Sequence, residues 1–227
     1  MEKLTIAIDG PAGAGKSTVA KRVAAALGLL YIDTGAMYRA LTWKALAQEI
    51  DFADTARLTD LAANTEISLA VSEHNAITVW CDGRNVTEEI RTPIVSANVS
   101  KVAAIPGVRQ RMVALQQAIA AQGRVVMDGR DIGTTVLPDA DCKFFLTASL
   151  TQRAYRRWIE LGDKGYQVDL KDLEQEISKR DQQDETRATA PLRVAPGAVV
   201  IHTDDLTIEQ VVATILDVCA STTGVQD

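Results

Sequence analysis

An apolar run, Leu4-Thr5-Ile6-Ala7-Ile8, leads almost directly into Gly10-Pro11-Ala12-Gly13-Ala14-Gly15-Lys16-Ser17, and a helical pattern starts at Lys16 and stops at Gly28. Glycines at this spacing let the backbone curl until successive N–H groups and the positive end of the following helix converge on one point, which favours phosphate oxygens. Lys16 then reaches the terminal phosphates and the Ser17 hydroxyl can ligate Mg²⁺. Such a loop needs a strand behind it and a helix ahead of it, so the chain is an α/β protein.

The rest of the chain has the same rhythm. Further core strands are expected at Leu29 to Ile32, Arg124 to Met127, Cys142 to Thr147 and Ala198 to His202. Helical patterns cover Lys16 to Leu27, Gly35 to Gln48, Val108 to Gln122, Leu150 to Leu161 with a stop at Gly162, Leu173 to Arg187, and about Thr207 to Cys219. Strands alternating with helices predict a parallel sheet covered by helices. From Glu66 to Val86 the pattern changes: Ile67-Leu69-Val71 and Ile77-Val79 alternate with polar residues around Glu73-His74-Asn75, which reads as a half-exposed antiparallel hairpin. Asp82-Gly83 then marks a tight turn, with Arg84 to Val86 as a short third strand. Ser221 to Asp227 reads as a frayed tail.

Composition excludes several classes. With 24 Lys+Arg against 30 Asp+Glu, the net charge is -6, so no overall positive field draws the chain to nucleic acid or a membrane surface. Only 4% of residues are aromatic, too few for a base-stacking single-strand binder. Cys81, Cys142 and Cys219 form no C-x-x-C pair and read as buried thiols in a reducing compartment. No apolar run approaches a signal core or a membrane span, and the expectation is a cytoplasmic protein.

A phosphate loop alone does not separate a kinase from a GTPase or a motor. The guanine-reading N-K-x-D pattern is not in the sequence, and three other segments suggest an acceptor side. Asp33-Thr34-Gly35-Ala36-Met37-Tyr38-Arg39 and Asp128-Gly129-Arg130-Asp131 both follow core strands, where ligands of open α/β sheets bind. Asp33 or Thr34 can equally cap the next helix, and Asp128 is placed to hold Mg²⁺ directly or through water. In the third segment Arg180, Asp184 and Arg187 share a helix face, and Arg153 and Arg157 share another on the preceding helix. These two helices could close a guanidinium-lined lid over phosphates.

Together these stretches resemble the bacterial cytidylate kinases, a family of P-loop nucleoside monophosphate kinases. The resemblance rests on IDGPAGAGKST, DTGAMYRA, IRTP, VSKVAAIPGVR, DGRDIGTTVLPDA, RAYRRW and KRDQQDETR, which run in order through nearly the whole chain. It implies a three-layer P-loop NTPase fold with a parallel five-stranded sheet, a small antiparallel hairpin insertion and a short helical lid. It further implies one kinase domain, with a core at 1–32, 124–150 and 198–220, a CMP-binding region at 33–123 carrying an insertion at 64–97, and a lid at 151–190. Arg84, Asn85 and Ile94 stand where the family pattern leads one to expect acidic residues.

The resemblance also implies roles. Gly10, Pro11, Ala12, Gly13, Ala14, Gly15, Lys16, Ser17 and Thr18 would bind ATP, with Arg153 and Arg157 meeting it from the lid. Lys16, Arg130, Arg180 and Arg187 would be catalytic. CMP would be held by Thr34, Tyr38, Arg39, Ser100, Arg109, Arg130, Asp131, Arg180, Asp184 and Arg187, with Ser100, Arg109 and Asp131 reading the cytosine edge and Thr34 and Asp184 the ribose hydroxyls. Ser17 and Asp128 would serve Mg²⁺. The expected substrates are ATP, CMP and dCMP, with neither nucleic acid nor membrane as partner and a monomer in solution. His74 and His202 need no role, because the attacking phosphate oxygen is already anionic. Two other readings stay open on the sequence: a P-loop kinase for a shikimate-type or coenzyme-precursor acceptor, and an ATP-binding switch with no acceptor.

Overall fold

The computed structural model describes residues 4–71 and 77–223. Contacts divide the chain into two compact units, residues 1–31 with 123–227 and residues 32–122.

The first unit is built on a five-stranded sheet in the order β2-β6-β1-β7-β8, comprising β1 (Thr5–Asp9), β2 (Leu30–Asp33, whose last residues lead into the second unit), β6 (Val125–Gly129), β7 (Cys142–Thr147) and β8 (Val199–His202). β1 pairs in parallel with β6 and β7, and β7 with β8. Strands of this kind are buried on both faces and read as continuous apolar runs. Ile6, Ile8, Met127, Phe144 and Leu146 are accordingly fully buried. Helices α1 (Lys16–Leu27) and α8 (Ile208–Thr223) pack on each other, α1 also on β6 and α8 on β7. Helices α6 (Leu150–Asp163) and α7 (Leu170–Thr186) lie against one another, α6 capped by Ser149 and α7 by Asp169.

Two expected boundaries in this unit are corrected. Helix α6 does not stop at Gly162 but runs to Asp163. The left-handed residue that ends it is Gly165, at φ 82°, beside which the Tyr166 N–H turns back to the Leu161 carbonyl. Nor is Ser221 to Thr223 a frayed tail, since α8 continues to Thr223 and the Ser221 and Thr222 hydroxyls bond back to the Asp217 and Val218 carbonyls. Helix α7 starts three residues before its expected Leu173, at Leu170 behind the Asp169 cap, and the other core strands and helices fall within about two residues of their expected positions.

The second unit contains α2 (Thr34–Ala47), α3 (Thr55–Ala63), α4 (Pro93–Ala103), α5 (Pro106–Ala120) and a three-stranded antiparallel sheet of β3 (Ile67–Val71), β4 (Ile77–Cys81) and β5 (Arg84–Asn85). The expected hairpin is therefore present, with Val79 and Cys81 buried; its Glu73-His74-Asn75 connection lies outside the described residues. Asp82 at φ 49° and Gly83 at φ 74° make the tight turn into β5. Helices α3 and α4 were not anticipated. Each has a legible start, Asp54 accepting from the Arg57 N–H in one and Pro93 in the first turn of the other. Helix α2 packs on α4 and β4, burying Met37 and Leu41 completely.

No helix among the described residues is long and apolar enough to cross a membrane. Cys81, Cys142 and Cys219 are buried thiols, and the last two share a hydrogen bond. Phe144 is the largest fully buried side chain of the first unit. Phe144→Ala is expected to lower unfolding stability by about 3–5 kcal/mol, measured as a reduced urea midpoint at unchanged slope.

Candidate functional site

The loop between β1 and α1 is shaped by contacts that only glycine permits. Gly10 stands at φ 146°, and a Cβ there would lie 2.0 Å from the Leu146 carbonyl oxygen of β7, a clash with backbone that cannot yield. The loop therefore lies flat against the sheet. It is also tied from α6: the Arg153 guanidinium donates to the Ala12 carbonyl at 2.9 Å and the Ala148 carbonyl at 3.0 Å, and pairs with Asp181 of α7 at 2.6 Å. Arg153 is buried, so this is a structural clasp between the loop and the two helices of the expected lid.

Lys16 opens α1 and is buried, its Nζ donating to the Pro11 carbonyl at 2.6 Å. Burial pushes its pKa well below the ordinary lysine value, and the charges of Arg130 and Arg180 push the same way against the pull of Asp128 and Asp9. Arg180 is affected likewise: burial, and then Arg130, bring it down to about 10, while its Nε is buried without a hydrogen-bond partner. Three cations thus stand close enough to destabilise one another. Carboxylates hold them there. Asp184 accepts from Arg130 Nε at 2.9 Å and lies 3.8 Å from Arg187, which in turn approaches Asp131 at 3.4 Å and donates to the Ala190 carbonyl at 2.7 Å. Burial raises the Asp184 pKa, but Arg130, Arg180 and Arg187 outweigh it and hold the carboxyl below its usual range. The i, i+4, i+7 pattern of Arg180, Asp184 and Arg187 is therefore a built site and not a solvated ladder.

Ser17 donates to Asp128 Oδ2 at 2.8 Å, and the other oxygen of this buried carboxylate accepts from Tyr31 at 2.7 Å. A hydroxyl and a carboxylate side by side are hard oxygen donors that suit Mg²⁺, which is bound by one or two carboxylates together with substrate phosphates. Among the described residues no group of three or more His, Cys, Asp or Glu side chains could hold a metal unaided. Tyr31, Asp181 and Asp9 are the residues of this site that the sequence reading missed. Asp9 is the one with a visible signal, a carboxylate at a strand end directly before the loop glycine.

In the second unit Asp33 caps α2, accepting from the Ala36 N–H at 2.9 Å, and lies 3.6 Å from Arg91. Thr34 is buried in the first turn of α2. Arg39 donates to Ser96 at 2.8 Å. Arg109 is buried, donates to the Ala103 carbonyl at 3.0 Å and stacks over the Tyr38 ring at 5.5 Å. Ser100, buried on α4, belongs to the same unit. Thr18 is exposed, Arg157 pairs with Glu160 at 2.7 Å, and His202 is exposed at the end of β8; His74 lies outside the described residues.

A parallel sheet, a phosphate loop and a cluster of arginines around it define a P-loop kinase. Among solved structures, a shikimate kinase from Acinetobacter baumannii in complex with shikimate superposes at TM-score 0.50 and 16% identity, covering 97% of this chain and 95% of that one; this likeness concerns the fold alone. The cytidylate kinase family model matches residues 6–221. Over 216 residues the chain is 52% identical to a cytidylate kinase of Desulfitobacterium hafniense (strain Y51), covering 95% of this chain and 92% of the relative. Over 220 residues it is 51% identical to a cytidylate kinase of Symbiobacterium thermophilum, covering 97% of both. The chain belongs to the cytidylate kinase family.

Lys16→Met keeps the length and removes a charge that burial already disfavours. It is expected to lower kcat at least ~10²-fold, as for loss of one transition-state donor, with thermal stability unchanged or raised, checked by steady-state kinetics beside a melting curve.

Proposed function

We propose that this protein transfers the γ-phosphoryl group of ATP to a phosphate oxygen of CMP or dCMP, giving ADP and CDP or dCDP. The observation that carries the reading is the gathering of buried Lys16 with Arg130 and Arg180 beside the phosphate loop, a concentration of positive charge that suits a polyanion. Membership of the cytidylate kinase family selects the acceptor.

The roles then follow from the chemistry of each group. The backbone of Gly10 to Thr18 cradles the ATP phosphates, with Arg157 reaching ATP from α6 and Arg153 serving ATP binding through the loop it clasps at the Ala12 carbonyl. Lys16, Arg130, Arg180 and Arg187 neutralise the phosphoryl group in flight, because positioning and charge stabilisation dominate this chemistry. Mg²⁺, held by Ser17 and by Asp128 directly or through water, would supply charge neutralisation between the phosphates. Asp184 and Thr34 take the ribose hydroxyls, Arg39 grips the acceptor phosphate, and Tyr38 packs beside the nucleotide. Ser100, Arg109 and Asp131 read the base. A phosphate monoester is largely dianionic at neutral pH, its second pKa being about 6, so no general base is required. The regions 33–123 and 151–190 act as acceptor-binding region and lid, in a monomer acting on small molecules.

A coupled assay is expected to show rapid ADP formation from ATP and Mg²⁺ only when CMP or dCMP is added. Turnover with a shikimate-type acceptor instead, or ADP release indifferent to CMP, would replace this reading with one of the two alternatives.

Base choice gives a sharper expectation. A carboxylate only accepts hydrogen bonds and suits the exocyclic amino group of cytosine, whereas uracil offers an oxygen there. The unmade bond costs about 1–3 kcal/mol, or roughly 5- to 150-fold in kcat/KM. Asp131→Asn, which can turn its amide to donate, is expected to narrow the CMP-to-UMP ratio of kcat/KM. The change also weakens the pair with Arg187, so both absolute rates fall and the ratio is the quantity to compare.

A further inference from the structure

Asp9 ends β1, lies next to the first glycine of the phosphate loop and is only 2% exposed. Its side chain is turned away from solvent, onto backbone. Oδ1 accepts the Ile132 N–H and Oδ2 the Gly133 N–H, both at 2.8 Å. Those two residues begin a π-helical turn, Ile132–Val136, which continues the chain from Arg130 and Asp131. The first N–H groups of a helical turn have no partner within it. Two such donors side by side need two acceptors, and a carboxylate is the short side chain that presents both.

We infer that Asp9 is a positioning residue of the transfer reaction: its carboxylate fixes the Arg130–Asp131 segment to the strand end from which the phosphate loop departs. The inference rests on the proposed roles of Arg130 and Asp131 toward the acceptor. The backbone alone does not do this, because β1 pairs with β6 only as far as Asp9 opposite Gly129, and Arg130 and Asp131 lie beyond the last paired residue. The side chain makes the next connections of this strand end, to Ile132 and Gly133. Space on the far side is also limited, since a Cβ on Gly133 would lie 3.0 Å from the Ala195 Cβ and 3.4 Å from both Asp9 Oδ2 and the Lys143 side chain.

The charge is kept at a cost. Burial raises the Asp9 carboxyl to about 6, the two N–H bonds pull it down, Asp131 raises it and Lys16 lowers it. Lys143 of β7 also lies near the turn. A raised carboxyl pKa means that this group's contribution to stability grows as pH falls from about 7 towards 4 and is lost as it ionises.

The test is Asp9→Asn at pH 8. An amide offers one acceptor and turns an N–H towards a backbone N–H. CMP affinity, read by calorimetry without ATP or metal, is expected to fall ~10-fold and kcat ~10- to 100-fold, as for a small misplacement of reacting groups. The KM for ATP should stay within about twofold, and the melting temperature should not fall in step with activity, because a buried charge has been removed. In the unliganded wild type the amide resonances of Ile132 and Gly133 should titrate with a midpoint near 6, and in Asp9→Asn they should not. Gly133→Ala moves the same turn without touching the charge and should weaken CMP in the same way. Unchanged CMP affinity and kcat in Asp9→Asn, or a raised KM for ATP with CMP binding intact, would overturn the inference. Should that variant not fold, unaltered CMP binding by Gly133→Ala would overturn it instead. If Arg130→Ala and Asp131→Ala bind CMP like wild type, it is the functional reading that fails; if they lose CMP while Asp9→Asn keeps it, the clamp alone fails.

Discussion

The burial of Lys16 and of the Arg180 guanidinium beside Arg130 is the constraint that the charged groups of the first unit are arranged to meet. Burial first, and then the neighbouring cations, push Lys16 and Arg180 below their ordinary values, so the charged forms are held there at a cost. They stay because separate parts of the chain place them there and because carboxylates hold them. Lys16 comes from the first turn of α1, Arg130 from the end of β6, and Arg180 from α7. Asp184 answers Arg130 and Arg187, and Asp128 and Asp9 draw on Lys16. The arrangement concentrates positive charge in advance, which is what the proposed phosphoryl transfer requires of its site.

Rigidity in the phosphate loop follows from the same economy. Gly10 brings backbone against the Leu146 carbonyl, and Arg153 spends its guanidinium on the Ala12 carbonyl, the Ala148 carbonyl and Asp181. A buried arginine used this way costs desolvation, and it is retained because three partners satisfy it. The clasp joins the loop to α6 and α7, so a change at Asp181 reaches the phosphate loop through a single side chain. In the second unit, Arg109 over Tyr38 and Arg39 on Ser96 hold guanidinium groups through local partners of their own.

How much of this was legible in the sequence depends on the range of the interaction. The phosphate loop, the strand that enters it, α1 with its stop at Gly28 and the hairpin at β3 and β4 could all be read, because each is written in local periodicity and turn chemistry. Helix α6 was misjudged at its end since Gly162 and Gly165 both offer a stop, and only the backbone bonds to Leu161 choose the later one. Helices α3 and α4 were passed over although Asp54 and Pro93 announce their starts, their apolar faces being short.

The sequence by itself determined that Gly10 to Ser17 has the phosphate-loop pattern between a strand and a helix, that the chain is an α/β protein, and that Arg153 and Arg157, and likewise Arg180 and Arg187, recur at helical spacing. Motif, spacing and composition are local quantities and survive without a fold. Only the tertiary structure decided that Asp184 sits among Arg130, Arg180 and Arg187, that Arg153 reaches back 141 residues to Ala12, and that Asp9 meets Ile132 and Gly133 across more than 120 residues of chain. Which carboxylate neutralises which guanidinium depends on strand order and on burial. Neither is encoded within any single segment, because both arise only when β1, β6 and β7 lie side by side.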